Sequence, residues 1–385
     1  MFKKRFRILL GICMLLLFAF FSMVYYDKTE EVWYNLSGSK INSGDLKVVT
    51  NYDQYYAAVK DAMLNYDSTL TLRTLNYSEK TYNLDVVGKI SQETPQLLGI
   101  IEGTTITVVN SIPAKLTLNF KYYDSKENLI NKEKFVQQKV DEIVNKVIKS
   151  EMKDYEKEAA LHDYIVNNAQ YDERLFTKNM PKESYTAYGL LANKTGVCQG
   201  YAELMDRLLK AVGIESKIII GEAKDETGWI SHAWNIVKIG GEYYHLDPTW
   251  NDPVTENSSN EPRYSYFNIT DEQIVKNHRW NKNNYPKCTS TTYSFNNLNL
   301  VEKDRRGNAI KVVKNYNEFY SSIKEAVRQN NSELTFRISN YSESIYDVEK
   351  AVTKIYNELW KDGAYSWSHY TDEITNSEYL TVTFE

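Results

Sequence analysis

The chain has 385 residues, with 46 Lys and Arg against 51 Asp and Glu, and a formal net charge of −5. This near balance argues against nucleic acid as a partner, because nucleic-acid-binding domains carry clustered positive charge. With 42% hydrophobic residues, 16 Gly and 7 Pro, the composition excludes a wholly disordered or collagen-like chain, and the length predicts two or three domains. Three cysteines are too few for a disulfide framework.

The first 26 residues have the pattern of a membrane signal anchor. An apolar run of 17 residues, from 8 to 24, follows four cationic residues: Lys3, Lys4, Arg5 and Arg7. The run is longer than the apolar part of a cleavable signal peptide and reaches the lower limit for spanning a bilayer. Because cationic flanks stay in the cytoplasm, the pattern predicts a single-pass membrane protein with its remaining domains outside the cell. The membrane is therefore an expected partner of this helix.

Two distant segments share one sequence pattern. When each position from 47 to 82 is compared with the position 264 residues later, 17 of 36 pairs are identical. Both copies contain Asn-Tyr-Ser-Glu, at 76–79 and at 340–343. A single long offset indicates one small α/β module present twice, at 46–122 and 310–385, and not a solenoid.

Each copy is predicted to run strand, helix, strand, helix, strand. In the first copy these elements are predicted over 46–50, 52–65, 69–75, 84–92 and 116–122. Neither copy has a nucleophile and a base at a workable spacing. The repeated polar residues are interpreted either as turn and strand-edge residues or as the lining of a groove that binds a cell-wall or protein partner.

The central segment, 131–285, begins with two amphipathic helices predicted over 132–150 and 155–168. A third helix is predicted from the apolar residues that recur at helical spacing between Tyr201 and Val212. Gly213 is placed to end this third helix.

Cys198 lies one turn before Tyr201 on the apolar face of the third helix. A thiol in the first turn of a helix faces unpaired N–H groups and the positive end of the helix dipole, which favour the nucleophilic thiolate. Gly200 is interpreted as leaving room for a substrate backbone to approach the thiol.

The pair Gly240-Gly241 lies between two strand-like runs and predicts a hairpin with a two-residue turn. In the register that this turn sets, His232 and Asp247 share one face as diagonal neighbours, which an imidazole and a carboxylate can bridge. An odd-length loop would put them on opposite faces. With Cys198 they supply the nucleophile, the acid/base and the orienting carboxylate of an acyl-transfer site.

Three sequence blocks in this order resemble the core of the transglutaminase-like superfamily, especially its bacterial cell-surface and protease-like members. They are Gly-Val-Cys-Gln-Gly-Tyr-Ala at 196–202, Ser-His-Ala-Trp-Asn at 231–235 and Leu-Asp-Pro-Thr-Trp at 246–250. The resemblance implies a papain-like α+β core. Within that core it implies Cys198 as nucleophile, His232 as general base and acid, and Asp247 as the residue that orients the histidine.

The resemblance also implies an oxyanion hole made by the backbone N–H of Cys198 and a second donor. Three residues are candidates for this donor or for lining the substrate site: Tyr171, Tyr188 and Gln199. Trp234 and Trp250 are interpreted either as core aromatics or as walls of a substrate cleft. No cofactor is expected.

Five further observations concern metal ligands, histidines and a loop. A zinc site built from Cys198, His232, His245 or Asp247 is disfavoured, because only one thiol is available and no paired ligand spacing occurs. His245 is interpreted as packing beside Ile236 or lining the site, and His162 as a core or boundary residue. His278 and His369 have no partner visible in the sequence. Residues 251–262 are interpreted as an exposed loop.

The sequence therefore predicts an α+β protein, with a papain-like transglutaminase core between two α/β modules and a transmembrane helix at the N-terminus. Its expected function is that of an extracellular, membrane-anchored thiol enzyme that cleaves peptide or glutamine amide bonds through a thioester, as a cysteine peptidase. Its expected substrate is a protein or peptide, including one that is associated with the cell wall. The alternative is an inactive surface adhesin or assembly module that binds cell-wall or protein partners through the two copies.

Overall fold

The structure, a computed structural model, describes residues 47–177, 179–225, 227–252, 264–298, 300–302, 309–339 and 341–385. The predicted anchor at 1–26 lies outside these residues. Among the helices that the structure describes, none is both long enough and apolar enough to cross a membrane.

The N-terminal module, residues 47–123, is a four-stranded sheet packed against two helices. Its elements are β1 (Lys47–Val48), α1 (Tyr52–Leu64), β2 (Thr69–Thr74), α2 (Asp85–Glu93), β3 (Ile101–Val109) and β4 (Ala114–Tyr122). The strand order is β1-β2-β4-β3, with β1 parallel to β2 and the other neighbours antiparallel. Alternating residues of β2 and β4, such as Leu72 and Leu116, are fully buried against the helices.

Strand β3 is the element of this module that the sequence pattern did not predict. It is an edge strand whose residues are exposed or half-buried along its whole length. Such a strand lacks the apolar alternation that marks one buried face. The five predicted elements agree with the observed ones to within two residues at each end.

The central domain has a five-stranded antiparallel sheet with strand order β10-β9-β8-β7-β11. Its elements are α3 (Lys126–Val147), α4 (Asp154–Asn168), β5 (Gln170–Tyr171), α5 (Ala187–Asn193), β6 (Thr195–Gly196), α6 (Cys198–Ala211), β7 (Ser216–Asp225), β8 (Gly228–Ile239), β9 (Glu242–Leu246), β10 (Phe267–Ile269), α7 (Asp271–Ile274) and β11 (His278–Arg279). Helix α6 is the centre of the domain. Its residues Tyr201, Met205 and Leu208 are fully buried among side chains of α3, α4 and the sheet.

The hairpin of β8 and β9 has the register that its two-residue turn predicts. Gly240 and Gly241 both have positive φ, 60° and 91°, as a type I′ turn requires. Ile236 pairs with His245, and Ile239 pairs with Glu242 next to the turn. Gly213, with φ of 80°, follows the end of α6 as predicted.

The C-terminal module, residues 311–385, repeats the topology of the N-terminal module. Its elements are β12 (Lys311–Val313), α8 (Tyr316–Gln329), β13 (Glu333–Ser339), α9 (Val348–Leu359), β14 (Tyr365–Asp372) and β15 (Ser377–Phe384). The strand order is β12-β13-β15-β14, again with one parallel pair and two antiparallel pairs. Asn315 caps α8 through the N–H of Glu318, just as Asn51 caps α1 through that of Gln54.

The C-terminal module contacts the preceding part of the chain through a buried ion pair and through a turn. In the first, Glu302 is buried and accepts hydrogen bonds from Arg337 at 3.1 Å and from the hydroxyl of Tyr379 at 2.8 Å. In the second, Ile374 in the turn between β14 and β15 packs into the cluster that contains Trp234. The turn between β14 and β15 therefore lies against the sheet that carries the candidate site.

Candidate active site

Cys198 is the first residue of α6, and a short parallel strand pair leads the chain to it. Strand β6 pairs with β5, and the N–H of Val197 donates to the carbonyl of Ser184 at 2.9 Å. The thiol is free and partly exposed. Its apolar surroundings are Leu98 from the N-terminal module together with Ala202, Ile218 and Ala233. Cys198 is therefore only partly exposed and packs against apolar side chains.

His232, near the middle of β8, connects the thiol to a carboxylate. Its Nε2 lies 2.6 Å from Oδ2 of Asp247, just beyond the end of β9. Its ring also lies close enough to Cys198 for the two groups to interact electrostatically. Because Nε2 is engaged by Asp247, the nitrogen that serves the thiol is Nδ1. The structure thus brings together the three residues that the sequence pattern singled out.

The charges in this group stabilise one another. Burial alone would lower the pKa of His232, but the Asp247 carboxylate and the adjacent Cys198 outweigh burial and raise this pKa to about 10. Burial alone would raise the pKa of Asp247, but the charge of His232 and hydrogen bonds from His232 and His278 hold it well below its usual range.

Backbone hydrogen bonds fix the second oxygen of Asp247. Its Oδ1 accepts the N–H of Thr249 at 3.0 Å and that of Trp250 at 3.2 Å. Pro248 has no N–H to offer, so these are the first two amides available in the turn after Asp247. The Asp-Pro-Thr-Trp sequence therefore holds the carboxylate with Oδ2 directed at the histidine.

Two side-chain hydrogen bonds that the sequence did not predict tie α6 to strand β8 and to the segment after β9. Asn235 is fully buried and donates from Nδ2 to the carbonyl of Ala202 at 2.9 Å. Tyr201 donates from its hydroxyl to Asp252 at 2.8 Å, in the segment after Asp247. A signal for Asn235 is present in the sequence, because it is a polar residue between Ala233 and Val237 on a strand face that is otherwise apolar.

The three candidate oxyanion donors occupy different places. Tyr171 lies on β5 opposite Gly196, and burial, followed by the nearby Cys198, raises the pKa of its hydroxyl. Gln199 has a buried Nε2 with no hydrogen-bond partner among the described residues. The candidate Tyr188 is corrected by its position. Its ring packs on that of Phe135, with the ring centres 5.4 Å apart, on the side of α5 that faces α3. There it points to the scaffold and not to Cys198.

The interpretation of Gly200 is also corrected. A Cβ at this position would lie 2.9 Å from the carbonyl oxygen of Thr186 and 3.2 Å from that of Ser184. The space beside Gly200 is therefore filled by the protein's own backbone before α5, and the glycine permits that close packing. It leaves no room there for a substrate.

The two tryptophans divide between core and site. Trp234 is fully buried, stacks on the His232 ring at 5.9 Å and donates from Nε1 to Nδ1 of His245 at 3.0 Å. A fully buried indole has no surface for a ligand, so Trp234 packs against the His232 ring from within the core and does not line a cleft. Trp250 is half-buried, with its ring 5.8 Å from His232, and fits the role of a wall.

His278 has a partner that no local pattern predicted. Its Nε2 lies 3.2 Å from Oδ2 of Asp247, the same oxygen that contacts His232. His278 lies on β11, which pairs with β7 at the edge of the sheet, and is separated from Asp247 by 31 residues. No spacing rule connects residues across such an interval, so only the folded sheet reveals the contact.

Two groups of described residues contain the side-chain types that ligate metals, with candidate ligand atoms within 4.8 Å of one another. They are His232, Asp247 and His278, and His245, Asp271 and Cys288. In the second group, Nδ1 of His245 accepts from the indole of Trp234, so its proton is on Nε2 and faces Asp271 at 2.8 Å. A metal ion would need that nitrogen without its proton, and the arrangement therefore favours a hydrogen-bonded pair. In the first group, Oδ2 of Asp247 already accepts from both rings.

The remaining predicted residues are placed as follows. His162 is fully buried, and its Nε2 lies 3.0 Å from Nδ2 of Asn251. Asn251 is itself buried, which corrects the prediction that the exposed loop begins there, while residues 253–262 of that loop lie outside the described part of the chain. His369, which had no visible partner in the sequence, pairs with Glu378 on the neighbouring strand.

Comparison with known proteins identifies the class. Residues 141–248 match the model of the transglutaminase-like superfamily, and Cys198, His232 and Asp247 all lie within this range. The chain therefore contains a transglutaminase-like domain, and the resemblance noted in the three sequence blocks is confirmed. The described chain is a mixed helix and sheet protein with this domain as its core.

The individual proteins and structures that this chain resembles share little sequence identity with it. Kyphoscoliosis peptidase of Mus musculus is 22% identical over 166 residues, which cover 41% of this chain and 24% of the relative. The chain thus spans about a quarter of the length of that relative. A solved transglutaminase structure has 13% identity and a TM-score of 0.28, and covers 57% of this chain and 62% of that one. A candidate cysteine protease from Cytophaga hutchinsonii has 16% identity and a TM-score of 0.24, covering 39% and 65%.

Proposed function

We propose that the protein is a thiol enzyme that breaks peptide or glutamine amide bonds through a thioester on Cys198, and that it acts as a cysteine peptidase. The observation that carries the proposal is the position of the His232 ring. The ring is hydrogen-bonded to the buried Asp247 and lies close enough to the partly exposed Cys198 for the two groups to interact, and separate elements hold these partners. That order of groups is what acyl transfer through a thiolate requires.

The reaction follows from these contacts. The thiolate of Cys198 attacks the carbonyl carbon, and the carbonyl electron pair moves onto oxygen. When the intermediate collapses, the C–N bond breaks and His232 transfers its proton to the leaving amine. His232 is then neutral and takes a proton from water, whose oxygen attacks the thioester. The C–S bond breaks, the carboxylic acid leaves and the thiolate is restored beside the imidazolium.

The oxyanion that forms in this reaction needs donors near Cys198. As the first residue of α6, Cys198 has a backbone N–H that no carbonyl within the helix accepts. We assign the second donor to the hydroxyl of Tyr171, because β5 places this residue opposite Gly196 and close enough to Cys198 for the two charges to interact. Gln199, whose amide is buried beside Gly99, is the alternative donor.

The test is incubation of the full-length chain with casein and a labelled primary amine. New peptide termini are the expected product, because water resolves the thioester in a peptidase. Incorporation of the amine would instead identify a transferase. Cys198→Ala should abolish either product, whereas Cys288→Ser, at a buried thiol outside the site, should leave it unchanged. Absence of both products, or their persistence in Cys198→Ala, would overturn the proposal.

We further propose that the enzyme works outside the cell, held by the N-terminal segment. The support is the order of four cations and a 17-residue apolar run at the start of the chain. Protease added to intact cells should digest the central domain, and deletion of residues 1–26 should move the protein out of the membrane fraction. A central domain that is protected in intact cells would contradict this location.

A further inference from the structure

Asp247 shares one oxygen between two histidines. Oδ2 lies 2.6 Å from Nε2 of His232 and 3.2 Å from Nε2 of His278. The mechanism above uses only the first of these contacts. His278 is fully buried, and its ring packs edge-on against Trp250 at 4.8 Å and Trp234 at 5.0 Å. Its Nε2 is therefore held in place by the aromatic rings that surround the site.

The protons of this group can be placed from the hydrogen bonds. Burial lowers the pKa of His278 more than Asp247 raises it, so the ring is neutral and has a single N–H. A carboxylate can only accept, so this N–H must be on Nε2, facing Asp247. Nδ1 then needs a donor, and the atom that faces it, at 2.7 Å, is placed as Oδ1 of the Asn277 side-chain amide.

The next contact completes the chain of donors. The Asn277 side chain also contacts the hydroxyl of Tyr266 at 2.6 Å. The oxygen and nitrogen of an amide are assigned from the surrounding network. In the structure Nδ2 of Asn277 donates to the Tyr266 hydroxyl, and Oδ1 faces Nδ1 of His278. Turned by 180°, the amide presents its NH₂ group to Nδ1 and its oxygen to Tyr266, and every contact from the tyrosine to Asp247 then has one donor and one acceptor.

We propose that His278 is a positioning residue that acts through Asp247 on the acid strength of His232. This inference rests on the proposed function. The Nε2–H of His278 takes up part of the negative charge on Oδ2, so Asp247 holds the proton of His232 less tightly. His232 can then release that proton to the leaving amine and recover as a base when water attacks the thioester.

The titratable groups around His278 also affect the charges in the site. Those that face it are Asp247, His232, His245 and Tyr266. Tyr266 in turn faces Asp372 and Tyr370 of the C-terminal module. His232 faces Cys198 in addition to Asp247. A substitution at His278 that leaves these groups in place reports on its own N–H.

The experiment compares variants that separate the N–H from the ring. His278→Phe keeps an aromatic ring without the N–H, His278→Leu removes the N–H with a smaller side chain, and His278→Gln restores an N–H at a similar reach without the ring. His369→Phe is the matched control, because His369 is largely exposed on β14 and pairs with Glu378. Each full-length variant is acetylated on Cys198 with p-nitrophenyl acetate, and the deacylation rate is measured against pH.

The deacylation rate rises with pH as His232 becomes neutral, so the midpoint of the rise reports its proton affinity in the acyl-enzyme. In the Phe and Leu variants this midpoint should move up by about one pH unit, as expected when a charged acceptor loses one donor. The Gln variant should restore the midpoint of the unaltered protein. A lower rate at every pH with an unchanged midpoint would show a purely structural role and overturn the proposal.

The outcomes also separate this inference from the proposed function. If the unaltered chain forms no acetyl-enzyme on Cys198, both fail. If it forms one, and deacylation depends on His232 but has the same midpoint in the Phe, Leu and Gln variants, only the role of His278 fails. A thermal unfolding scan identifies any variant that does not fold, and the Leu variant then replaces the Phe variant in the comparison.

Discussion

Asp247 accepts four hydrogen bonds while it is fully buried, two on each oxygen. Two come from the backbone of its own turn and two from histidines on strands β8 and β11. A carboxylate with this many donors remains ionised and cannot rotate, because any rotation breaks several hydrogen bonds at once. The direction in which His232 presents its second nitrogen to Cys198 therefore depends on a single acidic side chain.

Replacement of Tyr171 tests the second oxyanion donor. Tyr171→Phe removes one hydroxyl and keeps the ring, so turnover of casein should fall by about 10²-fold, as for loss of one oxyanion-hole donor in other enzymes. The fall should appear in kcat, because the donor is needed in the transition state. Gln199→Leu is the comparison variant. If it is impaired by that factor while Tyr171→Phe is not, the donor is Gln199.

The sequence was sufficient to find the residues of the site that follow from local geometry. Cys198 follows from the apolar face of one helix, and the contact of His232 with Asp247 follows from the two-residue turn at Gly240. His278 could not be found in this way, because its contact with Asp247 depends on β11 reaching the edge of the sheet. The role of Trp234 could not be decided from the sequence, because an aromatic strand residue in the core and one in the wall of a cleft have the same sequence pattern.

At the level of elements, helix α4 and strand β10 meet at a buried acid. Glu158 is fully buried and accepts a hydrogen bond from Nδ2 of Asn268 at 2.8 Å. Burial raises the pKa of Glu158 to about 8, although Asn268 opposes this shift. The carboxyl group is therefore neutral in the folded protein at neutral pH, whereas it is ionised in the unfolded chain.

This difference predicts a pH dependence of stability. Glu158 binds its proton more tightly when folded, so its contribution is fully present below pH 4.5 and is lost as the pH rises through about 8. Glu158→Gln keeps a neutral side chain of the same shape. Between pH 5 and pH 8 the free energy of unfolding of the unaltered chain, measured in urea, should fall by on the order of 3 to 4 kcal/mol more than that of the variant. Parallel curves for the two proteins would contradict this assignment.

Some elements were predicted well and others were not. Helix α4 was predicted to within a residue at each end, and α6 was predicted with Cys198 in its first turn, because each has a continuous buried stripe. Helix α3, predicted over 132–150, is observed over Lys126–Val147 and so begins well before its predicted start. Edge strand β3 was missed because neither of its faces is fully buried, so burial imposes only a weak alternation on its side chains. Local patterns therefore predict an element only where burial imposes a period on its side chains.

At the scale of the whole molecule, the two modules differ in how they meet the central domain. The N-terminal module places Leu98 against Cys198 and the apolar residues around it. The C-terminal module uses the buried pair of Arg337 and Glu302 and the turn at Ile374. The 264-residue offset predicts that the modules resemble one another, but it contains no information about these contacts, which involve partners outside the modules.

The buried pair predicts a large effect of a single substitution. Arg337→Met leaves Glu302 buried without its cation, and should lower the free energy of unfolding by about 3 to 5 kcal/mol. Adding Glu302→Gln should recover most of the loss, because the uncompensated charge is then gone. Lys324→Met is the control, since its pair with Glu358 is partly exposed and should contribute less than about 1 kcal/mol. Equal losses at Arg337 and Lys324 would contradict this explanation.

The most direct test of the catalytic assignment is the rate at which iodoacetamide alkylates Cys198 at pH 6, measured by mass spectrometry of the labelled peptide. At this pH an ordinary thiol is almost entirely protonated. The proposed pairing of Cys198 with His232 predicts that Cys198 reacts at least about tenfold faster than free cysteine and that His232→Ala removes the difference. A rate no greater than that of free cysteine, or an equal rate in His232→Ala, would contradict the account.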